Sequence, residues 1–89
     1  MGPIRVRMPR NGEMFGQIIE LLGASRFKID CRDNVERVCR IPGKFRRRLK
    51  VKPGDWVLIK PWSIEDEKGD IAWIYTNTQA NWLRRKGII

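Results

Sequence analysis

The sequence predicts an all-β fold in which a small five-stranded barrel is followed by a short carboxy-terminal helix. Five short stretches are rich in β-branched and aromatic residues and are separated by turn-forming residues. The closing segment carries the start and stop signals of a helix. A chain of 89 residues forms one domain with a small core, and a closed barrel buries much apolar surface per residue.

Each predicted strand ends at a glycine, a proline or a polar turn. The strands are MFGQIIELLG (14–23), RFKIDCR (26–32), VERVCRI (35–41), WVLI (56–59) and IAWIYT (71–76). In the second of them, Phe27, Ile29 and Cys31 alternate with polar residues, which is typical of a strand with one buried face. The turn that follows contains Asn34, a residue type that tolerates the left-handed backbone conformation.

Arg37 is the residue that fits this pattern least well. If residues 32–34 form a three-residue turn, Arg37 falls on the same face as Cys39 and Ile41 and points toward the core. An arginine buried without a partner is costly. We therefore expect a β-bulge, or a position at the rim of the barrel, to release it from the interior.

The segment NTQANWLRRKG, residues 77–87, is predicted to be a helix. Thr76 or Asn77 supplies the N-cap, and three cations precede Gly87, where the helix dipole favours positive charge. Trp82 lies beside a leucine in this segment and is expected to anchor the helix on the barrel.

The longest connection separates the third strand from the fourth. This placement favours a barrel of the oligonucleotide/oligosaccharide-binding (OB) type, with an SH3-like barrel as the alternative. We expect a basic, flexible amino-terminal arm (residues 1–13), the barrel (residues 14–75), and a helix with a short tail (residues 76–89).

The net charge of +9 indicates a polyanionic partner, most simply nucleic acid, with a membrane surface as the other candidate. Much of this charge lies in GKFRRRLKVKPGDW, residues 43–56. The candidate RNA-binding residues there are Lys44, Arg46, Arg47, Arg48, Lys50 and Lys52. Adjacent guanidiniums repel one another in water, and phosphate relieves them through bidentate hydrogen bonds and counterion release. The alternative is a solvated loop whose charge serves solubility.

Further cations are candidates for extending this basic surface. Lys28, Arg32 and Arg40 lie on the polar sides of the second and third strands. The alternative is that they are ordinary surface residues paired with the acidic residues of the same hairpin. The amino-terminal arm adds Arg5, Arg7 and Arg10, which have few apolar neighbours and supply sequence-independent attraction. Trp62, at a strand end, is a candidate for stacking at the edge of the binding face.

The remaining aromatic residues are expected mainly in the core. Phe15, Phe27, Trp56 and Trp73 fall at strand positions whose neighbours alternate. Phe45 lies between two cations, where it would either close the end of the barrel or stack on a base.

The inventory of chemical groups favours a binding protein over an enzyme. The chain has no histidine and two cysteines, so it contains neither a histidine base nor the ligands of a Cys/His zinc site. Both cysteines are expected to be buried thiols. The acidic cluster at Glu65–Asp70 lacks the ligand spacing of an ion-binding loop. We expect no cofactor or metal, and a soluble, cytoplasmic, monomeric protein, since the start resembles no secretion signal.

Three stretches resemble the translation initiation factor 1A family of archaea and eukaryotes. They are GQIIELLG (16–23), CRDNVERVCRIPGKFRRRLKVKPGDWVLI (31–59) and IYTNTQANWLRRKG (74–87). The resemblance covers residues 13–87, and RVCRIPGKFRRR is its most specific part. Bacterial initiation factor one is similar across an S1-like OB barrel, but the helix here favours the 1A type. The long acidic tails of eukaryotic members are absent, which favours an archaeal member.

The resemblance implies a factor that binds small-subunit ribosomal RNA in the aminoacyl site of the decoding centre. With other initiation factors, it would help initiator tRNA and mRNA to settle in the peptidyl site. The family's basic loop falls on residues 44–48, and its RNA-facing barrel surface falls on Arg26 and Arg40. Eukaryotic members tend to have tryptophan near Leu49 and Lys50, which this chain lacks. The alternative function is a general single-stranded RNA-binding protein or RNA chaperone of OB fold.

Overall fold

The computed structural model describes residues 6–43 and 51–89, and these ranges form a closed barrel with one helix on its outer surface. The elements are β1 (Met14–Gly23), β2 (Arg26–Cys31), β3 (Glu36–Arg40), β4 (Trp56–Pro61), β5 (Lys68–Ile74) and α1 (Asn77–Arg85). Around the barrel the strands follow the order β1-β2-β3-β5-β4. Strands β3 and β5 are parallel, and the other neighbours are antiparallel. The predicted fold class is confirmed.

The barrel interior is filled by one face of each strand, as period-two alternation requires. Ile18, Ile29 and Ile59 are among its fully buried side chains. Both cysteines are free and buried here, as expected. Burial raises the pKa of Cys39 to about 12, so this thiol stays protonated and unreactive at neutral pH.

A second apolar cluster lies outside the barrel, beneath α1. Phe15, Leu58 and Tyr75 form it together with Leu83 of the helix. The expectation that Phe15, Phe27, Trp56 and Trp73 lie in the core is confirmed for Phe15 and Phe27, which are buried, but the core is divided into two clusters. Phe15 is buried in the outer cluster, and both tryptophans are half-buried at its border. This happens because β1, β4 and β5 carry apolar residues on their outer faces as well.

Helix α1 begins at a capping box and rests on the outer cluster. The Thr76 side chain accepts a hydrogen bond from the Gln79 amide, and the Gln79 side chain accepts one from the Thr76 amide. Ala80 and Leu83 are the buried residues of the helix, with Trp82 half-buried against the same cluster. Within the described ranges, no helix is long and apolar enough to cross a membrane.

Strand β5 begins three residues earlier than the sequence predicts, at Lys68. Residues 68–70 lie before the strand that the sequence predicts, but they pair with both β3 and β4. Gly69 allows this close approach: a Cβ atom at this position would lie 2.9 Å from the Lys60 carbonyl oxygen and 3.2 Å from the Cys39 sulfur. The strand therefore needs glycine at position 69, where its backbone lies close to both neighbouring strands.

The turn between β2 and β3 has the predicted three-residue length, and Asn34 adopts a positive φ of 67°. The bulge expected at Arg37 is absent, and the side chain is not released from the interior. Arg37 pairs in register with Ile29, faces inward and is 2% exposed. No bulge releases it, because Asp33 and Asp66 neutralise its charge at the barrel end.

The described part of the amino-terminal arm makes defined contacts with the barrel. Val6 packs on the outer cluster, and the Tyr75 hydroxyl donates a hydrogen bond to the Arg7 carbonyl oxygen. The Arg7 guanidinium forms a bidentate pair with Glu13, at 2.8 and 3.1 Å. Residues 6–13 therefore differ from the arm with few anchors that the sequence suggested.

Candidate nucleic-acid interface

Two arginines lie directly opposite each other on the outward face of the β2–β3 hairpin. Arg26 and Arg40 are partners in the strand register, and both are exposed. Like charges in this arrangement destabilise a sheet, because the side chains of opposed residues are near neighbours. An anion bound between the two guanidiniums would remove the repulsion, and phosphate fits their planar donor geometry.

Trp62 adjoins this pair and is covered by cations. The Arg40 guanidinium carbon lies 4.8 Å from the centre of the Trp62 ring, and the Lys68 ammonium lies 5.8 Å from it. Arg40 also contacts Asp70, but loosely, with Nε and Oδ1 separated by 3.5 Å. We call the outward surface formed by Arg26, Arg40, Trp62 and Lys68 the Arg26–Arg40 face. It combines cations with an aromatic ring, which is typical of nucleic-acid binding surfaces.

The Arg26–Arg40 face continues toward the basic segment. A surface depression there is lined by Arg40, Asp70 and residues 41–43. The chain then enters residues 44–50, which lie outside the described ranges, as do residues 1–5. The candidate residues that fall there are Lys44, Arg46, Arg47, Arg48, Lys50 and Arg5, together with Phe45.

The charge on the outward face of this hairpin changes sign along its length. At the end next to residue 43 stands the pair Arg26 and Arg40, whereas Asp30 and Glu36 are paired at the other end. Lys28 lies between them, with its ammonium 3.8 Å from Glu20. An anionic ligand is therefore favoured at the end next to the basic segment and disfavoured at the other.

Several other predicted cations are held elsewhere by the chain itself. Lys52 is paired with Asp55 in its own turn, at 3.0 Å. Arg32 donates to the Ile88 carbonyl oxygen, at 2.5 Å. Arg7 is paired with Glu13, and Arg10 is exposed on the same segment. The structure therefore engages Lys52, Arg32 and Arg7 with partners that do not belong to the Arg26–Arg40 face.

Two cations near this face were not among the sequence candidates. Lys68 covers Trp62, and Lys60 is exposed opposite Asp70 in the β4–β5 register. The sequence signal was present: Lys68 and Asp70 alternate with Gly69 and Ile71. That alternation extends the strand pattern into a stretch that polarity alone assigned to a loop.

Among residues 6–43 and 51–89, no group of three or more carboxylates or cysteines is placed to hold a metal ion. Asp33 and Asp66, which lie nearest to a buried charge, are both occupied by Arg37. The surface offers donors and an aromatic ring, and its chemistry is that of binding.

The family model for "Translation initiation factor 1A / IF-1" matches residues 4–89. The chain belongs to the translation initiation factor 1A family. Membership gives it a role in translation initiation and association with the ribosome, and it makes the chain a factor rather than an enzyme. The resemblance found from the sequence is confirmed.

Archaeal members of this family are similar over nearly the whole chain. Translation initiation factor 1A of Archaeoglobus fulgidus is 48% identical over 88 residues, covering 97% of this chain and 91% of that protein. The factor of Methanopyrus kandleri is 46% identical over 83 residues, covering 93% and 75% of the two chains.

Solved structures support the barrel assignment. Bacterial translation initiation factor one from the Wolbachia endosymbiont of Brugia malayi has a TM-score of 0.55 and 28% identity, covering 76% of this chain and 82% of that one. YjeQ from Thermotoga maritima has a TM-score of 0.60 and 21% identity, covering 72% of this chain and 23% of that one. The second likeness concerns the fold alone.

Proposed function

We propose that this initiation factor binds small-subunit ribosomal RNA at the aminoacyl site of the decoding centre. From there it helps to place initiator tRNA and mRNA in the peptidyl site, together with other initiation factors. The RNA meets the Arg26–Arg40 face and the basic segment at residues 44–50. Bound in this way, the protein excludes other ligands of the aminoacyl site by occupying their space.

The observation that carries this proposal is the opposed pair Arg26 and Arg40. These exposed arginines are register partners on neighbouring strands, so their like charges are near neighbours, and the Asp70 carboxylate, 3.5 Å from Arg40 Nε, offsets them only in part. The strands hold them in a fixed pattern, which suits the phosphates of a folded RNA. Recognition by such a pattern reads the shape of the backbone rather than the base sequence.

The proposal is tested by binding to purified archaeal small subunits, combined with a protection footprint on their RNA. Protection is expected at the aminoacyl site, and the double variant Arg26→Glu, Arg40→Glu should lower affinity by about 100-fold or more. The matched control is Arg84→Glu, Arg85→Glu, which makes the same charge change on exposed helix residues. Equal losses in both double variants, or protection elsewhere on the subunit, would reject the proposed interface.

A second candidate function is that of a general single-stranded RNA-binding protein, and Trp62 is the observation that favours it. A half-buried tryptophan flanked by cations is a stacking platform for unpaired bases. This candidate predicts equal affinity for unstructured oligonucleotides and for intact small subunits. The initiation-factor proposal predicts a strong preference for the subunit, measured by competition with a poly(U) oligonucleotide.

A further inference from the structure

Arg37 is the only buried charged side chain among the residues that the structure describes, and it joins two loops. Its terminal nitrogens contact both Asp33 carboxylate oxygens, at 2.9 and 2.8 Å. Its Nε donates to the Asp66 carbonyl oxygen at 2.6 Å, and Nη2 donates to the Asp66 carboxylate at 3.0 Å. We call Arg37, Asp33 and Asp66 the Arg37 cluster.

The Arg37 cluster fastens a loop that is otherwise exposed. Residues 62–67 connect β4 to β5, and all of them except Trp62 are exposed. A guanidinium taken out of water loses much hydration, which only well-formed pairs can offset. Here the planar Arg37 guanidinium donates hydrogen bonds both to the Asp33 carboxylate in the β2–β3 turn and to the Asp66 carbonyl in the β4–β5 loop. The two loops therefore hold a fixed relative position.

The fastened loop leads directly to Trp62. The Lys68 amide donates to the Glu65 carbonyl oxygen at 3.1 Å, and the Trp62 amide donates to the Lys68 carbonyl oxygen at 2.9 Å. The Lys68 ammonium lies 3.5 Å from the Glu65 carboxylate and also covers the Trp62 ring. Lys68 is held by its pairing with β3, so displacement of Asp66 would chiefly disturb the neighbouring Glu65, whose carboxylate holds the Lys68 ammonium over the Trp62 ring.

We propose that Arg37 is a positioning residue for RNA binding, acting through the β4–β5 loop on the orientation of Trp62. This inference rests on the proposed function, because it assumes that the Arg26–Arg40 face meets RNA. Arg37 itself is buried and does not touch the ligand. Its contribution is to keep the loop and the ring in the binding geometry before RNA arrives, which lowers the ordering cost of binding.

The inference is tested by a double-mutant cycle on small-subunit affinity, with Arg37→Met and Trp62→Ala. Methionine fills the buried space without charge. Trp62→Ala should weaken binding about tenfold, as expected for the loss of one stacked base. Arg37→Met should weaken binding about fivefold in the wild-type background and less than twofold in the Trp62→Ala background, because its effect passes through the ring. Equal losses in both backgrounds would overturn the inference.

A matched control cycle replaces Trp62→Ala by Arg26→Gln. Arg26 lies on the same face, opposite Arg40 on the neighbouring strand rather than next to the β4–β5 loop. The affinity losses caused by Arg26→Gln and Arg37→Met should therefore add. If Arg37→Met destabilises the fold too far, Asp66→Ala removes one contact of the loop at an exposed position and should give a smaller, equally non-additive loss. Non-additivity with Arg26→Gln as well would indicate a general structural role.

Hydrogen exchange of the free protein gives a second readout. In Arg37→Met, the amides of Trp62 and Lys68 should exchange faster, whereas those of Ile18 and Gly54, whose hydrogen bonds join β1 to residues 54–55, should not change. Uniformly faster exchange would overturn the inference. Wild-type protein that fails to bind small subunits would reject the proposed function and this inference together, whereas binding with additive losses would reject the inference alone.

Discussion

The Arg37 cluster and the Arg26–Arg40 face contain the same functional group in opposite situations. Arg37 and Arg40 are three residues apart on β3, so they point to opposite sides of the strand. Arg37 is 2% exposed, and its donors are engaged by carboxylate and carbonyl oxygens and by the Met14 sulfur. The Arg40 side chain is 62% exposed, and its nearest carboxylate, that of Asp70, lies at 3.5 Å.

The difference shows what decides whether a cation serves the fold or a ligand. Inside the barrel, Arg37 has no donor left for an external ligand, since each of its donors has a partner within the chain. Its hydrogen bonds hold the pKa of the Asp33 carboxyl below its usual range. On the outer surface, Arg40 faces another arginine and keeps donors for an external anion. Burial and partners, rather than residue type, separate the two roles.

The largest expected effect tests the structural half of this comparison. Arg37→Ala should lower the free energy of unfolding by about 2–3 kcal/mol, since it leaves a cavity and separates two loops; the exposed carboxylates limit the loss. For a domain of this size, that corresponds to a fall in Tm of roughly 10–20 °C. Arg40→Ala should cost less than about 0.5 kcal/mol, as its ion pair is exposed. Thermal unfolding followed by circular dichroism measures both, and equal losses would remove the distinction.

The fold could be predicted because its signals are local. Alternation marked β2, and turn residues marked the strand ends. The division between inner and outer clusters could not be read in this way. In β4, Val57 and Ile59 face the interior, whereas Trp56 and Leu58 face the helix. A strand covered on both sides is apolar throughout, so its sequence does not indicate which residue faces which layer.

The candidate interface was predictable only in part, for a related reason. Arg26 and Arg40 follow from the three-residue turn, because a turn length fixes the register of a hairpin. The partner of Arg37 at Asp66 lies 29 residues away, and only the closed barrel brings it near. The Lys68–Trp62 contact depends on β5 beginning at Lys68. That start is possible because Gly69 allows β5 to approach its neighbours closely. Contacts of this kind join distant segments, so the sequence pattern of one segment does not predict them.

A smaller effect is expected on the salt dependence of RNA binding, which tests the functional half. Removing one phosphate contact lowers the magnitude of the slope of log K against log salt by about 0.7–0.9. Arg26→Gln and Arg40→Gln should each do this and weaken binding by about five- to tenfold. The control Lys52→Gln removes the same charge from a residue that Asp55 already holds, and its slope should change less. Titrations of small subunits at several salt concentrations decide this, and three equal slope changes would contradict it.

The smallest expected effect is on the pH dependence of stability, which tests the carboxylates that pair with buried and exposed arginines. The chain has no histidine, so its stability should be flat between about pH 5 and 8. Hydrogen bonds from Arg37 to Asp33, and from Arg7 to Glu13, lower the pKa of each carboxyl in the folded state. A lowered pKa means that the stabilisation is complete above the unfolded-state value and is lost as the pH falls through the folded-state value.

Urea unfolding at pH 7, 5 and 3 should therefore give a wild-type free energy of unfolding that declines only in the acid range. In Arg37→Met the Asp33 carboxyl has lost its buried partner, so the decline between pH 5 and 3 should be shallower. Arg40→Gln should retain the full decline, because Arg40 is paired only loosely with Asp70. A decline of equal steepness in Arg37→Met and in the wild type would mean that the buried guanidinium does not stabilise the ionised form of Asp33.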